Sequence, residues 1–399
     1  MRGEPGRTKP AFSLPCVRPA RDAPKDIRPR DRINDRRTEG EIELTLHIRG
    51  LAVAALLGAT LSAITTPAVA RVAAPSKEPV VPCGDVGELV RQITEGNTRG
   101  YGSIVLSSGC VYRLTAPAQP GGPDGLPVVT GNLTISGSGA TILRSAATPF
   151  RIAEVAPQGT LNLNGTTVSG GSADTDNGTT GGGILTSGRL VLVNSRVTGN
   201  TATGTGGGIE VASGGTAQLT TSTVSENTAS DGGGIHVSAS ASLNLSRSSI
   251  TGNTAVSTGG GLATFGGAQL DDAVVRGNTT QNFEGGGVYA GAGTLTTTLG
   301  EISGNTAHSD GGGIANFGAT LRLNDTAVRD NRAFGGGGGL YQYAGSSQLI
   351  RGGVTGNVAT DAGGGILRQG GSVTLTGTSV TANQPDNCSP AGAVAGCTG

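Results

Sequence analysis

One pattern of apolar and polar positions repeats through most of the chain. Three glycines followed by an aliphatic residue occur eight times at intervals of 25 to 27 residues, with the aliphatic anchors at Ile184, Ile209, Ile235, Leu262, Val288, Ile314, Leu340 and Ile366. Stretches between the anchors, such as residues 241–245, alternate apolar and polar side chains, which predicts β-strands rather than helix. Each repeat is therefore expected to contain about three short strands separated by Gly, Asn and Ser turns.

A unit of this size cannot bury its apolar side alone, so the units must stack. The period is too short for propeller blades, and the Leu-rich helical segments of leucine-rich repeats are missing. The fold we expect is all-β: a right-handed parallel β-helix of about eleven coils spanning residues 101–384. Stacking also predicts that the motif Val/Ile-x-x-Asn forms an asparagine ladder, through Asn200, Asn227, Asn253, Asn278, Asn305, Asn331, Asn357 and Asn383. Asn383, the last of them, is expected to have one ladder neighbour and to tolerate substitution best.

The sequence before the repeats predicts a cap for the open end of the solenoid. Val86, Leu89, Val90 and Ile93 follow helical spacing, and Asp85 is placed to cap the helix amino terminus. Residues 71–100 are therefore expected to form a linker and a short capping helix. Such a cap protects an end that would otherwise be a bare strand edge.

Composition and charge argue against a nucleic acid partner, and the amino-terminal segments predict export. Glycine contributes 72 of 399 residues and aromatics only 3%, which suits a narrow interior of small side chains. Formal net charge is zero and the repeats hold no cluster of Lys or Arg, so no nucleic acid partner is expected.

Residues 1–50 hold 20 charged positions, and we expect a disordered extension or sequence upstream of the true start. Residues 51–70 have the apolar core and small-residue end of a signal peptide, which predicts cleavage before Arg71, secretion or attachment to the cell wall, and only transient membrane contact. Retention of this segment as an anchor is the alternative.

Cysteine usage agrees with export. Removing the leader discards Cys16 and leaves four cysteines, an even number that suits disulfide bonding. Three pairings are open, and local pairing of Cys83 with Cys110 and of Cys388 with Cys397 is the one we expect. The second bond would close a tail at residues 385–399.

The paired Gly-Gly-Gly-aliphatic and Val/Ile-x-x-Asn units resemble the repeats of polymorphic outer membrane proteins and related bacterial right-handed β-helix proteins, whose coil is that of pectate lyases. The segments around Cys83–Cys110 and Pro385–Cys397 look like secreted actinobacterial members of that group. This resemblance implies the fold far more than an activity, because the same coil carries adhesins, lyases and hydrolases. β-Helix hydrolases carry paired aspartates with a Gly-His-Gly element; here the adjacent acidic pair is Asp271-Asp272, which is expected in a turn, and no Gly-His-Gly occurs.

Two sets of residues are candidates for function. Five aromatic residues lie one or three positions after an anchor and are expected to point outward as a sugar-stacking or partner-binding surface: Phe265, Tyr289, Phe317, Tyr341 and Tyr343. A loop folded over these rings is the alternative. Glu284 and Asp310, four residues before successive anchors, would lie ~5 Å apart on adjacent coils, as in a catalytic acid pair or a Ca²⁺ site. No other cofactor or metal is expected, and solvent-facing turn residues are the alternative.

These patterns favour a non-catalytic protein that binds or adheres to a glycan or to a partner surface. One competing hypothesis is a polysaccharide lyase or glycoside hydrolase with a divergent acidic site at Glu284 and Asp310. Another is a surface spacer that needs no site at all.

Overall fold

The computed structural model describes residues 80–175 and 178–398, which belong to the unit Val72–Gly399. The charged extension, the predicted signal segment with its predicted cleavage site before Arg71, and Cys16 lie outside the described residues.

The described chain forms a parallel β-solenoid of about 12 turns, one more than the sequence predicts. Its strands form three sheets that run along the solenoid axis. Sheet 1 has 21 strands: Val80–Val81, Tyr101–Leu106, Val111–Leu114, Asn132–Arg144, Thr160–Ser169, Arg189–Val193, Arg196–Thr198, Thr216–Thr220, Thr223–Ser225, Ser242–Ser246, Ser249–Thr251, Gly267–Asp271, Val274–Arg276, Thr294–Thr298, Glu301–Ser303, Thr320–Asn324, Ala327–Arg329, Ser346–Ile350, Gly353–Thr355, Ser372–Thr376 and Ser379–Thr381.

The other two sheets are built from shorter strands, one from each coil. Sheet 2 has eight strands: Ser172–Ala173, Thr201–Ala202, Thr228–Ala229, Thr254–Ala255, Thr279–Thr280, Thr306–Ala307, Arg332–Ala333 and Val358–Ala359. Sheet 3 has ten: Ala153–Val155, Ile184–Thr186, Ile209–Val211, Ile235–Val237, Leu262–Thr264, Val288–Ala290, Ile314–Asn316, Leu340–Gln342, Ile366–Arg368 and Cys388–Ser389.

A regular coil therefore has four strands, not the three that alternation predicts. The extra break comes from a residue with positive φ, such as Arg247 (φ 49°) or Asp325 (φ 48°), which divides each coil's contribution to sheet 1 into two strands. Sequence periodicity misses this break because Asn, Thr, Arg, Asp and Leu all occupy the position.

Each glycine triplet is required where it stands, as the one before Val288 illustrates. Gly285 has φ +73°, which β-carbon-bearing residues rarely adopt. A Cβ on Gly286 would lie 2.4 Å from the Thr306 backbone, and one on Gly287 would lie 2.8 Å from the Asn305 amide nitrogen. The triplet therefore makes a tight turn against the next coil, and the anchor that follows is fully buried.

The asparagines of the repeat form a continuous buried ladder. The Asn305 side-chain nitrogen donates to the Asn331 Oδ1 at 2.9 Å and to the Val275 carbonyl at 3.0 Å. Its Oδ1 accepts from the backbone and side-chain nitrogens of Asn278 at 2.9 and 3.0 Å. Each amide therefore satisfies backbone groups at a turn as well as its neighbour's side chain.

The ladder does not stop where the repeat motif stops. The Asn383 side chain donates to the Oδ1 of Asn387 at 3.1 Å, and its own Oδ1 accepts two bonds from Asn357. Asn387 thus takes the place of a next-coil asparagine, so the expectation that Asn383 has only one ladder neighbour is wrong.

Both ends of the solenoid are closed. The helix Val86–Arg99 begins at Asp85, whose side chain accepts from the Glu88 backbone nitrogen at 2.9 Å, and it buries Leu89 and Ile93 against the first coils. Cys83–Cys110 and Cys388–Cys397 are both bonded, with Cα–Cα distances of 5.4 and 6.2 Å. The local disulfide pairing is confirmed.

Candidate ligand-binding face

A row of rings lies along the outer face of sheet 3. Tyr289 and Tyr341 follow their anchors by one residue, whereas Phe265, Phe317 and Tyr343 follow theirs by three. Parallel pairing places Tyr289 between Ala263 and Ala315 on the neighbouring strands. We call the row, Phe265, Tyr289, Phe317, Tyr341 and Tyr343, the aromatic ladder.

The rings of the aromatic ladder contact one another in sequence. The ring centroids are 5.9 Å apart for Phe265 and Tyr289, 5.2 Å for Tyr289 and Phe317, and 4.8 Å for the stacked pair Phe317 and Tyr343. Tyr341 lies 5.8 Å from Phe317 in an edge arrangement. These distances fall in the range where aromatic pairs attract one another, so the rings hold each other in a fixed line.

Alternation of large and small side chains makes room for that line. Coils that carry a phenylalanine at the third position carry Ala263 or Ala315 at the first, and the coil with Tyr289 carries Gly291 at the third. A Cβ on Gly291 would lie 2.4 Å from the Phe265 ring. Gly291 is therefore the position over which the Phe265 ring lies.

The ladder is partly open to solvent. Tyr343 is 50% exposed, Phe265, Tyr289 and Phe317 are of intermediate exposure, and Tyr341 is 4% exposed. The Tyr341 hydroxyl donates to the Gln369 side chain at 2.9 Å. Four of the five predicted rings are thus at least partly exposed, whereas the expectation that Tyr341 is an outward-facing ring of the surface is wrong, because Tyr341 is buried.

The other end of the ladder meets a buried polar pair. His236, whose ring centroid is 5.6 Å from that of Phe265, places its Nδ1 2.9 Å from Glu210 Oε2. Both residues are buried, and they pair directly on adjacent strands.

Three carboxylates border the ladder on the side toward sheet 2. We call Asp231, Glu284 and Asp310, each four residues before an anchor, the acidic column. Asp231 Oδ1 accepts from the Thr258 hydroxyl at 2.7 Å, and Asp310 Oδ1 accepts from the Gly336 backbone nitrogen at 2.6 Å. Burial raises the pKa of Glu284, and the charge of Asp310 adds to that rise. Glu284 and Asp310 are thus electrostatically coupled across adjacent coils.

The acidic column also acts on the ladder hydroxyls. Burial raises the pKa of Tyr289, and the charges of Glu284 and Asp231 add to this effect. Burial and the charges of Asp310, Glu284 and Tyr343 raise the pKa of Tyr341 to about 12. The ladder and the column are therefore one electrostatic surface.

The described residues do not gather a metal site. Across residues 80–175 and 178–398 there is no group of three or more His, Cys, Asp and Glu side chains arranged to hold a metal ion. The adjacent pair Asp271 and Asp272 lies at the end of a sheet 1 strand, away from the ladder.

A buried acidic residue that the sequence analysis did not predict, Asp124, lies apart from the acidic column. Asp124 lies 3.1 Å from the buried Arg151 guanidinium and lines a cavity of about 260 Å³ together with Glu154. Burial raises the pKa of Asp124 to about 7; Arg151 opposes this rise, and Glu154 adds to it. Asp124 stands in the irregular early coils, where no repeated motif marks the register, so spacing gives no signal for the pair.

Comparison with known proteins identifies the architecture. Residues 175–352 match the family model described as "Right handed beta helix region". The protein contains a right-handed parallel β-helix. No curated protein and no solved structure matches the chain. This fold occurs both in surface proteins and in polysaccharide-degrading enzymes, so the function of this β-helix must be argued from its own side chains.

Proposed function

We propose that this β-helix protein is exported and binds a glycan chain along the aromatic ladder without cleaving it. The observation that carries the proposal is the line of contacting rings on the outside of a sheet, with Tyr343 half exposed. Sugar rings stack on aromatic faces because their C–H surfaces are apolar while their hydroxyls remain in water. Neighbouring coils are ~4.8 Å apart, close to the length of one pyranose unit, so a linear glycan would meet rings at regular intervals.

Export is part of the same proposal. The two disulfides indicate an oxidising environment, and the predicted signal segment would deliver the chain to it. Within the described residues, no helix is long and apolar enough to cross a membrane. The resemblance to secreted actinobacterial and polymorphic outer membrane repeats supports a location outside the cell or on its wall.

The test is retention on a panel of immobilised polysaccharides, scored together with product release. Wild type should be retained by at least one polysaccharide, and Tyr343→Ala should weaken that retention about tenfold, as expected for the loss of a stacked ring. Tyr101→Ala is the matched control, because Tyr101 is 68% exposed but lies far from the ladder on sheet 1. Retention that survives loss of Tyr343 and Phe317 together would contradict the proposal.

The coupling of Glu284 to Asp310 favours a second candidate, a polysaccharide lyase or glycoside hydrolase. A carboxyl group whose pKa is raised beside an ionised neighbour has the form of a general acid pair. Release of reducing or unsaturated ends by wild type, lost in Glu284→Gln, would establish this activity in place of simple binding. If the protein is neither retained by any polysaccharide nor cleaves one, the structural spacer is favoured. If it is retained only by an immobilised protein, a partner-binding surface is favoured.

A further inference from the structure

The charge along the aromatic ladder distinguishes among glycans. The acidic column follows one edge of the ladder, brought there by the positive-φ turn at Gly285 between Glu284 and Tyr289. Among the residues that the structure describes, none of the three carboxylates of the column takes part in an ion pair. Glu301 on sheet 1, by contrast, pairs with Arg276 and Arg329, at 2.6 and 2.9 Å.

Nearby basic groups do not offset this charge within ion-pair distance. Arg332 lies over the Phe334 ring, 4.7 Å from its centroid, on the sheet 2 side of the column. His308 stacks on the same ring and its Nδ1 contacts the Thr280 carbonyl oxygen at 2.8 Å. The edge of the ladder therefore presents carboxylates whose countercharge must come from solvent or from a ligand.

Rings and carboxylates favour the same kind of ligand group. The negative face of an aromatic ring attracts an ammonium ion, and a carboxylate pairs with it directly. An anionic polysaccharide could stack on the rings, but the column would repel it and it would gain no cation–π attraction from the ring faces. The surface thus selects for positive charge, and the repetition along the solenoid selects for a polymer.

We infer that the ligand of the aromatic ladder is a cationic polysaccharide with free amino groups, such as a chain of β-1,4-linked glucosamine, bound by ring stacking on the ladder and by ammonium pairing with Glu284 and Asp310. This inference rests on the proposed function. It goes further by naming the chemistry that the ligand must carry, and by giving the acidic column a role in specificity instead of catalysis.

The experiment compares glucosamine oligomers with N-acetylglucosamine oligomers of equal length, by calorimetry at two salt concentrations. Wild type should bind the glucosamine oligomer roughly tenfold more tightly, as expected for charge-assisted contacts, and salt should reduce that preference. The double variant Glu284→Gln, Asp310→Asn should lose the preference, so that its affinities for the two oligomers become equal within a factor of about two. Asn at 310 keeps an acceptor for the Gly336 nitrogen, so the turn is preserved.

The control and the contrary outcomes separate this inference from the proposed function. Glu226→Gln with Asp272→Asn removes the same charge from two exposed turn residues and should leave the preference intact. Equal affinity of wild type for both oligomers, or tighter binding of polygalacturonate, would overturn the inference and leave glycan binding standing. Absence of binding to any oligomer or polysaccharide would overturn both.

Discussion

Substituting Asn305 by leucine should destabilise the solenoid far more than an ordinary asparagine substitution. Leucine has similar bulk, so packing changes little and the lost hydrogen bonds dominate. Three groups lose a partner: the backbone and side-chain nitrogens of Asn278, and the Val275 carbonyl oxygen. Asn331 Oδ1 keeps one donor, the backbone nitrogen of residue 305 at 3.0 Å. At roughly 1–3 kcal/mol for each buried group left unsatisfied, and allowing for relaxation, we expect a loss of about 3–6 kcal/mol.

Chemical unfolding followed by circular dichroism measures this loss. Asn244→Leu is the matched control, because Asn244 is exposed on sheet 1 and its loss should cost about 0.5 kcal/mol or less. Asn383→Leu should resemble Asn305→Leu, since Asn383 Oδ1 also accepts two bonds, both at 2.9 Å from Asn357. Equal midpoints for wild type, Asn244→Leu and Asn305→Leu would refute the reasoning that the ladder stabilises the fold.

Three further predictions concern single features. Burial holds the folded-state pKa of Asp124 at about 7, above its usual 3.8. The contribution of this group to the free energy of unfolding is therefore full below pH 3.8 and is lost as pH rises through 7, by at most about 1.4 kcal/mol per pH unit. Asp124→Asn should flatten the dependence of the free energy of unfolding on pH. Reducing the bond between Cys83 and Cys110 should cost about 2–4 kcal/mol in unfolding free energy, and a Cys83→Ser, Cys110→Ser variant that loses nothing would contradict this. Gly291→Ala should displace the Phe265 ring, lower glycan affinity and leave the free energy of unfolding within about 1 kcal/mol of the wild-type value.

The fold could be predicted because its causes are periodic. Anchors such as Val288 and ladder members such as Asn305 recur at one interval, and in a stacked coil an interval in sequence becomes a neighbour in space. The capping helix was predictable for a related reason, since its apolar spacing is local and Asp85 stands at its start. The division of sheet 1 into two strands per coil was not predictable, because positive φ at that position is imposed by the turn and not by one residue type.

For the candidate site, only the positions fixed by counting from the repeat anchors could be predicted from the sequence. Counting from the anchors found the ring positions and the coupled residues Glu284 and Asp310. It failed to show that Tyr341 is buried, because burial depends on the Phe317 and Tyr343 rings packed beside it. The environment of Asp124 could not be predicted from the sequence. It is created by the contact with Arg151, which joins irregular coils that carry no common motif.

A solenoid places residues of successive coils side by side along its surface, and this restricts what the surface can bind. A residue type that returns every 25 to 27 positions presents the same chemistry at each coil, ~4.8 Å further along the axis. Phe265, Tyr289, Phe317 and Tyr343 come from four successive coils, Tyr289 one residue after its anchor and the others three, with Glu284 and Asp310 beside them. A compact ligand would contact one or two of these rings. A polymer with a similar repeat makes a favourable contact with every coil, whereas the translational entropy that it loses on binding is lost only once. Affinity for such a ligand should therefore rise with each added sugar unit until the oligomer spans from Phe265 to Tyr343, and then level off.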